Sequence, residues 1–149
     1  MALSKDELKA LIEADEPDYK KLAAVLQPGD LPQLTEIVRG NDAMLASKAA
    51  YCISLVHDQS ALSALETASE SPVEAVRVAS AAGLSNLRGF DVKAVAERLL
   101  ADADVGVRKL AIKSAASLGV NDFEPKLREL AANDAEPGIR SLAQSALNA

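Results

Sequence analysis

The sequence is short of the residues that usually fill a core or carry chemistry. Aromatic residues make up 3% of it, and there is no Trp. Packing falls to Leu, Val, Ile and above all Ala, within an apolar fraction of 49%. Such small side chains favour helices that approach closely. The single Cys, Cys52, excludes an internal disulfide and a cysteine-based zinc cluster. His57 is the only histidine and lacks the company of ligands that a metal site needs. Basic charge is scarce too: 16 Lys and Arg stand against 22 Asp and Glu, a net charge of −6. That balance disfavours tracking of nucleic-acid phosphates. No apolar run approaches the roughly 20 residues that span a bilayer. The opening MALSKDELKALIEADE is charged throughout, unlike a signal peptide. The expectation is a cytoplasmic protein without membrane contact. No Gly-rich phosphate loop, paired acid and base or nucleophile elbow is present. Catalysis, cofactor binding and metal binding are therefore not expected.

What the chain does have is a period. Four stretches align: NDAMLASKAAYCISLV (41–56), SPVEAVRVASAAGLSNL (71–87), DADVGVRKLAIKSAASLG (102–119) and DAEPGIRSLAQSALNA (134–149). Arg77, Arg108 and Arg140 fall 31 and 32 residues apart. Apolar columns keep the same step: Ala49, Ser80, Ala111, Ala143; Ile53, Leu84, Ala115, Leu147; Val56, Leu87, Leu118. The intervening segments repeat as well, in the columns Leu34, Leu65, Ala96, Leu127 and Ile37, Ala68, Leu99, Leu130. Independent columns with one step define a repeat array.

Within each repeat the apolar spacing is three or four, the helical period. The sequence predicts ten helices, at 4–14, 17–26, 31–39, 43–56, 60–69, 73–87, 91–101, 105–118, 122–132 and 136–148, and no strand. Pro17, Pro32, Pro72, Pro125 and Pro137 suit first helical turns. Asp15, Asp30, Ser71 and Asp122 suit N-caps. Gly40, Gly89 and Gly119 suit helix ends. Residues 1–28 are degenerate and charged. Only Leu3, Leu22 and Val25 match the columns of Leu34, Ile53 and Val56, and SKDE (4–7) has capping-box form. The expected organisation is one domain, with 1–28 as N-terminal cap and repeats at 29–57, 58–88, 89–119 and 120–149. A polar end unit is what such an array requires.

Arg follows Asp by six residues in Asp102–Arg108 and Asp134–Arg140, with Ser71–Arg77 in the repeat before. An Arg so placed can reach a neighbouring turn. Stacked repeats would build a structural ladder through Arg77, Asp102, Arg108, Asp134 and Arg140. Cys52 shares a uniformly small column with Gly83, Ser114 and Ala146, which reads as a close helix contact rather than a nucleophile. Asp102 and Asp104 read as helix-start charges.

A helical hairpin of this length, led into its second helix by D-x-x-x-x-V/I-R-x-x-A, resembles the HEAT repeat. The short period and Ala-rich second helix are most similar to bacterial HEAT-like repeats found in phycobilin lyases. The resemblance covers about 31–149. The first repeat departs from it, with Ala46 at the Arg position and Gly40 at the Asp position. It implies an all-α, right-handed α-solenoid whose second helices line the concave side. On that side lie Met44, Ser47 and Tyr51, then Ala75, Val78 and Ala82, then Gly106, Lys109 and Lys113. Residues 89–119 hold five basic and four acidic groups, the only stretch that is not net negative. The expected partner is a protein or peptide, acidic in part, bound through Met44, Tyr51, Val78, Ala82, Lys109 and Lys113. The expected function is a non-enzymatic scaffold or adaptor. The resemblance offers a second reading, an accessory or chaperone subunit of a phycobilin-lyase-like enzyme. A third, nucleic-acid binding, is opposed by the charge.

Overall fold

Local chemistry sets where each helix begins. Ser4 Oγ accepts from Glu7 N at 3.1 Å and the Glu7 carboxylate accepts from Ser4 N at 3.2 Å, a closed capping box. Asp18, Asp42 and Asp104 cap by accepting from the N–H three residues on, at 3.0, 3.0 and 2.9 Å. A computed structural model describes residues 2–149. The helices it contains are α1 (Lys5–Glu13), α2 (Tyr19–Val25), α3 (Leu31–Val38), α4 (Ala43–Ile53), α5 (Ser60–Ser69), α6 (Glu74–Gly83), α7 (Lys93–Leu100), α8 (Val105–Leu118), α9 (Glu124–Asn133) and α10 (Pro137–Asn148). No strand occurs among the described residues.

Several boundaries differ from expectation. Asp18, not Asp15, caps α2, so Pro17 stands just outside the helix. Pro72 likewise precedes the cap residue Val73, and Ser71 Oγ accepts from Val73 N at 3.1 Å in a turn of its own. Asp122 lies in a 3₁₀ turn, Val120–Phe123, and makes no capping bond. Asp30 does not cap α3. It is fully buried and accepts from Leu3 N at 2.7 Å and Gln27 N at 2.8 Å. The α-helix expected over 43–56 ends at Ile53 because Ser54, Leu55 and Val56 donate three residues back, which tightens the last turn. The helix expected over 73–87 likewise passes into 3₁₀ form at Leu84–Leu87. Val56 and Leu87 are buried in this way, whereas Leu118, on a helix that stays α to its end, is left half-buried. Val25 does not fill the Val56 column: it is 36% exposed, and Leu26 turns inward instead. At the far end Leu147 is half-buried.

The pairs α3/α4, α5/α6, α7/α8 and α9/α10 stack in order on one hydrophobic cluster. Leu34, Leu65, Ala96 and Leu127 are fully buried within it, as are Ile53, Leu84 and Ala115. The second helices meet their successors closely, α4 on α6, α6 on α8 and α8 on α10; the first helices touch much less. Such a stack is narrower on the second-helix side, which places those helices inside its curve. The close approach comes from the small column. A Cβ added to Gly83 would stand 2.5 Å from Ser54 Oγ. Ser114 donates its hydroxyl to Ala81 O at 2.6 Å, so a polar group is satisfied across the contact. The first helix pair is pinned to the stack by the buried Asp30, by the Lys5–Glu36 ion pair at 2.8 Å, and by Lys48 Nζ donating to Ala14 O at 2.8 Å.

Candidate functional site

The most regular polar feature runs along the turns between first and second helices. Arg77, Arg108 and Arg140 each occupy the fourth position of a second helix. Helical side chains lean toward the N-terminus, so each guanidinium returns over its own turn. Its Nη1 donates to the carbonyl six residues back: Ser71 at 2.9 Å, Asp102 at 2.9 Å and Asp134 at 2.6 Å. The Nε and Nη2 of Arg77 grip Asp102 of the next turn, at 2.9 and 3.3 Å. Those of Arg108 grip Asp134, at 2.9 and 3.0 Å. Each Asp is oriented by its own turn, accepting from Asp104 N and Glu136 N respectively, both at 2.9 Å. The Arg108 and Asp134 side chains are 12% and 5% exposed, those of Arg77 and Asp102 20% and 9%. Burial acts against the charged form of Asp134. It is outweighed by the Glu136 N–H, the Arg108 fork and the charges of Arg108 and Arg140, which hold the carboxyl below its ordinary range. No fork joins α3/α4 to α5/α6, where Ala46 is fully buried at the Arg position.

On the second-helix face the apolar and basic positions fall in different settings. Met44 is 69% exposed. Tyr51 is half-buried and meets Tyr19 of α2 edge-on, ring centroids 4.8 Å apart. The first helix pair thus covers part of the surface that the sequence leaves open. Val78 and Ala82 are half-buried. Lys109 and Lys113 are exposed, one turn apart on α8, and have no ion-pair or hydrogen-bond partner among the described residues. Like charges four residues apart cost a helix about 0.2–0.5 kcal/mol. This pair is therefore a small local liability and an open attraction for carboxylates.

The remaining candidates have structural surroundings. Burial pushes the Cys52 thiol up to about 12, which leaves it inert. His57 lies edge-on against Phe90, centroids 4.7 Å apart, with Nε2 3.2 Å from Arg88 O. No cluster of three or more His, Cys, Asp or Glu suited to a metal occurs among the described residues. One open valley of about 600 Å³ runs between α3 and α5 along Pro32, Thr35, Ser63 and Thr67, and one of about 580 Å³ lies between the α3–α4 and α5–α6 turns along Arg39, Gly40, Glu70 and Pro72. The sequence gives no sign of them, because the first is walled by mixed polar and apolar residues of α3 and α5 and the second by turn residues. No helix is long and apolar enough to cross a membrane.

Paired antiparallel helices, one core and a repeated turn define an all-α, right-handed α-solenoid with a HEAT-like helical-repeat fold. The chain is similar in structure to one from the complex of CpcE and CpcF of phycocyanin lyase from Nostoc sp. PCC7120. The TM-score is 0.75, the match covers 96% of this chain and 97% of that one, and the sequences are 20% identical. At that identity the likeness is one of fold. No protein-family model matches the sequence, and no curated protein does.

Proposed function

We propose that the protein is a non-enzymatic accessory or chaperone subunit of a heteromeric, phycobilin-lyase-like assembly. The observation that carries this reading is the end-to-end likeness, over 96% of this chain and 97% of the other, to a chain taken from a complex of two proteins. Residues 1–28 act as a cap on the four repeats. The face of α4, α6 and α8 receives an acidic protein partner. Met44, Tyr51, Val78 and Ala82 supply apolar contact, and Lys109 and Lys113 steer the acids. Support for the basic end comes from those two unpaired lysines.

A broader reading, a general adaptor with no pigment in its pathway, is favoured by the aromatic residues. Tyr19 and Tyr51 are spent on each other and Phe123 is buried, which leaves little to clasp a chromophore. One experiment separates the two. The purified protein is mixed with a free bilin, an apo-phycobiliprotein subunit and a second helical-repeat lyase subunit, and visible absorbance is followed. Faster pigment attachment that needs this chain supports the lyase-type reading. Unchanged spectra, with the Lys109→Glu/Lys113→Glu variant indistinguishable from the parent in binding the apo-subunit, overturn it.

A further inference from the structure

Arg140 is held like its counterparts on one side and open on the other. Its Nη1 donates to Asp134 O at 2.6 Å, as Arg77 and Arg108 do to their own turns. Its Nε and Nη2 have no partner among the described residues. In α6 and α8 those same two nitrogens take both oxygens of an Asp from the next turn. Arg140 is thus a tethered, half-buried guanidinium with its bidentate edge unoccupied. That edge matches a carboxylate, and the tether reduces the freedom lost on binding one.

The opposite end of the stack carries the complement. The α1–α2 turn reads Ala14-Asp15-Glu16-Pro17-Asp18, and the α7–α8 turn reads Ala101-Asp102-Ala103-Asp104. Asp18 caps α2 through Lys21 N as Asp104 caps α8 through Val107 N. In the register of the turn Asp15 corresponds to Asp102, one residue further from its cap. It is exposed and has no partner among the described residues. Asp102 also accepts from the N–H two residues on; at Asp15 that residue is Pro17, which has none, so both carboxylate oxygens are free.

Every fork in the stack runs forward, from the Arg of one helix pair to the Asp of the next. The geometry points to head-to-tail association of the chain with itself, the Arg140 fork of one copy taking the Asp15 carboxylate of a second. Such a contact is heterologous and does not close, so it builds open stacks rather than a dimer. It is held by a polar rung more than by a core. In the column of the fully buried Ala50, Ala81 and Ile112, α10 carries Gln144, exposed and bonded to Asn148 at 3.1 Å. The association is therefore reversible and weakened by salt.

Sedimentation velocity over micromolar to millimolar protein, at low and high salt, tests this directly. The sedimentation coefficient should keep rising with concentration at low salt and rise less at high salt. Arg140→Asp and Asp15→Arg should each weaken association on the order of tenfold, as expected for loss of a charge-assisted bidentate bond. An equimolar mixture of the two variants should recover it, because each supplies the charge that the other lacks. The two changes lie at opposite ends, so a folding defect in one leaves the other informative. A coefficient that stays flat over the whole range, a plateau at a dimer, or undiminished association in both variants overturns the inference.

Discussion

The contact of α4 with α6 and the join between α7/α8 and α9/α10 unite neighbouring helix pairs by opposite means. At the first, Gly83 lies against Ser54, whose hydroxyl donates to Tyr51 O at 2.5 Å and accepts from Asn86 Nδ2 at 3.0 Å. At the second, the nearly buried fork of Arg108 and Asp134 spans the turns. One join depends on volume and is indifferent to charge. The other adds a charged, partly exposed fork to the apolar contact of α8 with α10. The same fold can thus be made sensitive to different insults along its length, as nearest-neighbour contacts in a repeat array allow.

The largest effect should come from filling the first join. Gly83→Leu forces a side chain onto Ser54, and overpacking typically costs about 1–3 kcal/mol. Here the upper end or beyond is expected, since the first added carbon alone would stand 2.5 Å from an atom held by two hydrogen bonds. Urea melts measure the loss. An unchanged melting midpoint would break the comparison at its first term.

Next in size is Arg108→Ala. It removes a bidentate charge-assisted bond and strands a nearly buried carboxylate, an expected cost of about 1–3 kcal/mol. Arg77→Ala should cost less, because its pair is more exposed. Arg108→Lys should not restore the loss in full, as a point charge cannot match both oxygens.

The acid limb sharpens the contrast further. The folded pKa of Asp134 lies below its unfolded value of about 3.9. The fork therefore contributes its full stability above that unfolded value, and the contribution disappears as pH falls through the lower folded value. The fall in the urea midpoint over this window should be shallower in Asp134→Asn than in the parent. Equal slopes would show that the fork adds no acid sensitivity. Smallest of all is Lys93→Ala, an exposed residue whose side chain has no partner among the described residues. It should stay within about 0.5 kcal/mol of the parent, and a larger loss would remove its use as a baseline.

The period is what made the fold legible. A step of 31 residues, seen in several columns at once, fixes helix phase far better than the propensity of any one segment. Leu34, Leu65, Ala96 and Leu127 are buried for the reason that their spacing announces. Features without a counterpart one step away stayed hidden. Asp30 accepts from Leu3, 27 residues earlier, and nothing in the other repeats hints at that bond. At the 3₁₀ endings after Ile53 and Gly83, Ser54 and Asn86 meet across the stack, a tertiary contact that no single repeat announces. On the candidate face, helical spacing identifies which residues share a side. It says nothing of Tyr19 arriving from α2 to cover Tyr51.

The small column of Cys52, Gly83, Ser114 and Ala146 has a mechanical consequence. It lines the tight inner row of second helices, while an open valley of about 600 Å³ separates α3 from α5 on the outer side and one of about 580 Å³ separates the turns that follow them. The inner row is an incompressible spine, and the outer row has room to give. The stack should flex by opening and closing those outer valleys about the spine, as a bellows does about its hinge. The coil's radius is then set by four small residues, and enlarging any of them would pry the spine apart and flatten the curve.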